Sequence, residues 1–91
     1  MIHRITFPVS DLCSRAEAAL VRNQVVPLFE KRKQVDFDFS GVESISSSYA
    51  DELFGILIRY FGVEPALRYI RIKNANERCL EIIATAMDGR C

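Results

Sequence analysis

The stretch Val35-Asp36-Phe37-Asp38-Phe39-Ser40-Gly41-Val42-Glu43-Ser44-Ile45-Ser46-Ser47-Ser48-Tyr49-Ala50-Asp51-Glu52 decides how this chain folds. It opens in strict alternation. Val35, Phe37 and Phe39 share one face and Asp36 and Asp38 the other, the period-two pattern of a strand with one half-buried side. This strand is expected over 34–39, with Ser40-Gly41 as the turn that follows. Val42 to Ser48 reads as a loop with two apolar anchors, Val42 and Ile45. The period then changes. Ala50, Leu53, Phe54, Leu57 and Phe61 fall on one helical stripe. Ser48 is the expected N-cap, with Asp51 three residues later in place of the usual glutamate of a capping box. Gly62 stops the helix and Pro65 bars its continuation.

On the N-terminal side, Ile2, Ile5, Phe7 and Val9 alternate loosely and predict a strand over 2–9. Ser10 and Ser14 are both N-cap candidates for the next segment, and Glu17 completes a capping-box pattern with Ser14. Ala18, Val21, Val25 and Leu28/Phe29 recur at helical spacing, and Pro27 predicts a kink or break near Asn23–Gln24. On the C-terminal side, Tyr69 to Lys73 alternates as a third strand. Asn74 or Asn76 then caps a last helix with Cys79, Leu80, Ile83 and Met87 on its apolar face, ending at Gly89. The order β-α-β-α-β-α implies right-handed crossovers. The expected fold is one small α/β domain over 1–91, a largely parallel short sheet with packed helices.

Composition narrows the function classes. Lys+Arg and Asp+Glu balance at 12 each in 91 residues, so the chain has no long-range pull on phosphate backbones, which argues against nucleic-acid binding. The basic run Lys31-Arg32-Lys33 ends a predicted helix, where cations complement the dipole. Apolar runs fall far short of the ~20 residues that span a bilayer, and Met1 to Thr6 lacks the features of a signal peptide. A soluble, cytoplasmic chain with no membrane partner is expected. The three cysteines are odd in number and have no close pair, which argues against a disulfide framework and a zinc site. Cys79 reads as a small core residue, and Cys91 as incidental.

In open parallel α/β sheets, sites gather beyond the strand carboxyl ends, which here means the loop 40–48. Five serines and one glycine in nine residues surround a helix N-terminus, a favourable place for an anionic group. A P-loop would need a spaced Gly-Lys-Ser/Thr, and this loop has no lysine. Serine nucleophiles need a base, and the lone histidine, His3, sits at the far N-terminus and reads as a surface strand residue. Asp36, Asp38, Glu43, Asp51 and Glu52 are better explained by strand and helix-start positions than by metal binding or acid–base work. No catalytic residue, metal or cofactor is expected.

The run from Asp38 to Ser48 resembles the core motif of STAS domains, the anti-sigma-factor antagonists and related sulfate-transporter domains: Asp-hydrophobic-Ser-Gly-Val, two residues, hydrophobic, Asp-Ser-Ser-Gly, then a helix. Ser48-Tyr49-Ala50-Asp51-Glu52-Leu53-Phe54 with the later Asn74-Ala75-Asn76 is closer still to a bacterial STAS-like family of unknown function. The likeness covers about Val35 to Leu80. In the antagonists a partner kinase phosphorylates the second serine of Asp-Ser-Ser-Gly. Aligned on Asp38 and Ile45, that serine falls on Ser48, with Ser47 before it. This chain departs from the antagonists at Ser46 for aspartate, Tyr49 for glycine and Asp51 for a small residue.

The resemblance implies a non-enzymatic regulatory module switched at Ser48 by a serine kinase of the histidine-kinase-like ATPase type. Its partner surface would comprise Asp38, Ser40, Gly41, Ser44, Ser46, Tyr49, Asp51 and Glu52, joined by Ile56 and Tyr60. Tyr49, Ile56 and Tyr60 lie on a helix flank off the main stripe, so they either meet a partner or pack under the first or last helix. The alternatives are a homo-oligomeric structural module, such as a homodimer, or a small-ligand or nucleotide binder, with Ser48 acting only as an N-cap.

Overall fold

The alternating segment at Val35 becomes the middle strand of a three-stranded parallel sheet in the computed structural model, which describes residues 3–88. The elements run β1 (His3–Thr6), β2 (Asp11–Leu12), α1 (Arg15–Glu30), β3 (Val35–Asp38), β4 (Ser44–Ile45) and α2 (Ser47–Ala50). A π-helical turn (Asp51–Gly55) follows, then α3 (Ile56–Phe61), α4 (Val63–Tyr69), β5 (Ile70–Lys73) and α5 (Glu77–Asp88). The sheet order is β1-β3-β5, with Ile5 beside Phe37 and Phe37 beside Ile72. The mixed α/β architecture with a short parallel sheet and packed helices is as expected.

Phe37 of the central strand meets Phe54 edge-on, with ring centroids 5.0 Å apart. Asp36, on the opposite face, is also buried, and its Oδ1 lies 3.3 Å from Arg71 Nε, its neighbour in register on β5. A buried carboxylate needs such a partner, since an isolated charge is costly away from water.

Several local expectations change. The strand expected over 2–9 stops at Thr6, and an unexpected strand, Asp11–Leu12, pairs in parallel with Ser44–Ile45 as a second, two-stranded sheet. Leu12 and Ile45 are buried, so the loop after β3 is anchored rather than free. Ser14, not Ser10, caps α1, accepting the Glu17 N–H at 3.2 Å. α1 runs unbroken through Pro27, because Ala18, Val25 and Phe29 all bury into the core and offset the one lost backbone bond. Gly62 does end the long helix, at φ 93°, a conformation only glycine takes readily. Pro65 does not bar a further helix: it sits in the first turn of α4, where no backbone donor is needed. Asn76, not Asn74, caps α5 by accepting the Cys79 N–H at 2.8 Å. Along α5 Cys79 and Ile83 are buried, Ile82, Ala86 and Met87 pack against the core, and Leu80 is exposed. Gly89 and Cys91 lie outside the described residues.

The end of α1 carries a Schellman arrangement. Lys33 N–H bonds to Leu28 C=O and Arg32 N–H to Phe29 C=O, both at 2.9 Å, with Arg32 left-handed at φ 62° where glycine is usual. Arg32→Gly should therefore raise stability by about 0.5–1 kcal/mol. A urea midpoint that falls would contradict this account.

Candidate functional site

The loop 40–48 is built residue by residue. Phe39 C=O accepts the Val42 N–H at 2.9 Å, closing a tight turn whose third residue, Gly41, has φ 87°. Asp38 then holds both ends of the strand-end region: its Oδ1 accepts the Ser40 N–H and the Asn74 side-chain amide, each at 3.0 Å. These bonds, the Asn74 amide first, hold its carboxyl below the ordinary carboxylate value. Asn76 donates to Glu43 C=O at 3.1 Å while its oxygen caps α5. The run Asn74-Ala75-Asn76 thus ties the loop to the last helix. Ser44 donates to Asp11 Oδ1 at 2.5 Å, closing the β2/β4 side.

Ser46 is the N-cap of the long helix, with its hydroxyl accepting the Tyr49 N–H at 3.0 Å. This corrects the expected cap at Ser48. The last anchored loop residue is Ile45, whose pairing with Leu12 sets the helix start two residues early. Ser47 and Ser48 occupy the first two helical positions and are exposed. Among the described residues the Ser48 hydroxyl takes no hydrogen bond. A cleft of about 320 Å³ opens beside it, lined by Arg15 of α1, Ser47, Ser48, Asp51 and the α5 residues Ile82 and Thr85.

The helix is not α-helical throughout. Ile56 N–H bonds to Asp51 C=O, five residues back, and to Leu53 C=O, bypassing Glu52 C=O. That carbonyl instead accepts from Arg22 Nη1 at 3.0 Å. Arg22 also meets the Glu52 carboxylate, whose other oxygen accepts from Arg15 at 2.9 Å. The two guanidiniums, Arg22 before Arg15, hold the Glu52 carboxyl below its ordinary value. Arg15 also lies 3.9 Å from Asp51. Asp38 at the strand end is held by amide donors, whereas Asp51 and Glu52 at the helix start share Arg15.

The π turn re-phases the helix, and with it the expected contact flank. Residues five apart across the turn now align, so Tyr49 points with Phe54 and Ile58 into the core. Tyr49 is 2 % exposed and packs edge-on to Phe7, centroids 6.4 Å apart. Its hydroxyl is pushed up to about 12, by burial first and Glu17 second. Tyr49 is therefore a core residue and no part of a partner surface. Ile56 is half-buried and Tyr60 is 63 % exposed, and both line a groove of about 610 Å³ with Val26 and Pro27 of α1. Cys79 is buried, and burial pushes its thiol up. Among the described residues no three potential ligands gather for a metal ion, and no helix is long and apolar enough to cross a membrane.

A short parallel sheet with helices packed round one buried central helix, and a capped serine loop at the strand carboxyl ends, define a STAS-like α/β domain. The family model for the STAS-like domain of unknown function (DUF4325) matches residues 17–78, and the chain belongs to that family. No curated protein and no solved structure matches it significantly.

The cap assignment has a direct consequence. Ser46→Ala should cost about 1 kcal/mol, while Ser48→Ala should stay within about 0.5 kcal/mol of the parent. Reversed costs in chemical denaturation would restore the cap to Ser48. The contacts that hold the carboxylates carry a second. With native values of Asp38 and Glu52 lowered, their stabilisation is complete above the unfolded carboxylate values near ~4–4.5 and is lost as pH falls through the native ones. Glu52→Gln should lose less Tm than the parent between about pH 6 and about pH 3, measured by circular dichroism.

Proposed function

We propose that this domain is a non-enzymatic regulatory module that binds a protein partner through the 44–48 loop and is switched by phosphorylation of Ser48. The observation that carries this reading is the division of labour in the serine run. Ser46 supplies the cap, so the exposed Ser48 hydroxyl is available for modification without loss of the helix start. A phosphate there brings ~1.5–2 negative charges to the first turn, where the helix dipole tolerates them. The fold persists and the surface offered to the partner changes sign. Asp51 and Glu52, whose like charge would oppose a phosphate, are met by Arg15 and Arg22. Family resemblance supports a serine kinase of the histidine-kinase-like ATPase type as partner, and a cytoplasmic setting. Ser48→Asp should weaken capture of the partner in a pull-down from the native cell while Ser48→Ala retains it. Equal capture by both variants would end the switch reading.

A homodimer is the second reading, favoured by the 63 % exposure of Tyr60 beside Ile56 and Pro27. It predicts a dimer in light scattering that Tyr60→Glu converts to monomer. A parent that scatters as a monomer would exclude it.

A further inference from the structure

Arg15 is the first residue of α1 and, among the described residues, the cation that lines the Ser48 cleft. Its side chain is 56 % exposed, and it holds Glu52 through a single nitrogen, with Asp51 at 3.9 Å. Arg22 is held differently. Its side chain is only 20 % exposed, and it grips both the Glu52 carboxylate and the Glu52 carbonyl. Glu52 therefore has one fixed and one dispensable guanidinium partner. If Arg15 leaves, Glu52 remains paired through Arg22 and the π turn keeps its carbonyl bond.

Ser48 and Thr85, each with a hydroxyl, line the same cleft as Arg15, together with Ile82. A dianion on Ser48 would stand three residues from Asp51 on the same helix, a repulsive spacing unless a cation comes between them. Arg15 already lies within 4 Å of Asp51 and has a planar fork of donors suited to phosphoryl oxygens.

We propose that this cleft is an intramolecular receptor for a phosphoryl group on Ser48, with Arg15 as the binding residue and Thr85 as a second donor; this rests on the phosphorylation reading above. The phosphoester forms at Ser48 Oγ as the terminal phosphoanhydride bond of a nucleoside triphosphate breaks, and the hydroxyl proton passes to the kinase's base. Arg15 then exchanges Glu52 for the phosphate, bridging it to Asp51. The start of α1 is thereby uncoupled from Glu52 and coupled to the modified loop, so that phosphorylation changes the shape of the partner surface as well as its charge.

The test uses the full chain with phosphoserine installed genetically at position 48 and follows its second ionisation, ordinarily near ~6, by ³¹P NMR titration. An Arg15 contact favours the dianion. The parent should titrate about half a unit below Arg15→Gln, the size expected of one exposed arginine. Arg15→Lys should fall between them, and Lys33→Gln, an equal charge change at the far end of α1, should match the parent. Coincident curves for the parent and Arg15→Gln would overturn the proposal, as would an equal shift from Lys33→Gln. No kinase is needed for this measurement. Absence of a phosphorylated form in intact-mass spectra of native protein would therefore count against the switch, whereas coincident titrations count against the receptor.

Discussion

The burial of the helix spanning 47–61 on three sides is the constraint on which the rest of this structure depends. Ala50, Leu53, Phe54 and Leu57 are fully buried. Phe54 rests on Phe37 and Phe39 of the sheet side, and α1 and α5 pack against the π turn from either flank. One helix thus serves as the common wall of the packed elements, which lets the described residues, 3–88, share one core with three strands in the main sheet. The π turn belongs to the same constraint. By taking one extra residue into the turn it directs Tyr49 and Phe54 inward together, and it frees the Glu52 carbonyl for Arg22. An unpaired carbonyl at that depth would cost free energy, so Arg22 and the π geometry stabilise each other.

The same helix carries its exposed serines on a rigid base. Ser46 caps it, Ile45 pins the preceding residue through Leu12, and Asn76 clamps Glu43 to α5. Ser48 therefore sits on a surface whose backbone is held from three directions. The arginines of α1 set the charge of that surface. They neutralise the two acids that a reader of the sequence would count against a phosphate, and they do so unequally, Arg22 firmly and Arg15 loosely.

Much of this was legible in the residues themselves. The alternation at Val35 to Phe39 located the central strand, Ser14 with Glu17 marked a helix start, and Gly62 marked a helix stop. The serine loop was recognisable as the place to look, by strand polarity and by its resemblance to STAS motifs. What misled was local arithmetic. Ser48 with Asp51 has capping-box spacing, yet Ser46 caps, because the two residues Ser44 and Ile45 are drawn into a second sheet with Asp11 and Leu12. Two-residue strands have too short a period to be seen in sequence. Tyr49, Ile56 and Tyr60 share a flank only if the helix keeps 3.6 residues per turn throughout.

What the sequence determined by itself was the alternation of strands and helices, the apolar faces that bury, and the loop that carries the serines, since these follow from period and from residues with narrow backbone preferences. The tertiary structure alone decided which serine caps and which is left exposed, that Tyr49 turns inward, and that α1 supplies Glu52 with two arginines, 37 and 30 residues away. Those outcomes depend on contacts between segments distant in the chain, and no local spacing encodes them. The two asparagines of Asn74-Ala75-Asn76 show the boundary most clearly. They were visible as a motif, but only the packed fold revealed that one meets Asp38 and the other Glu43.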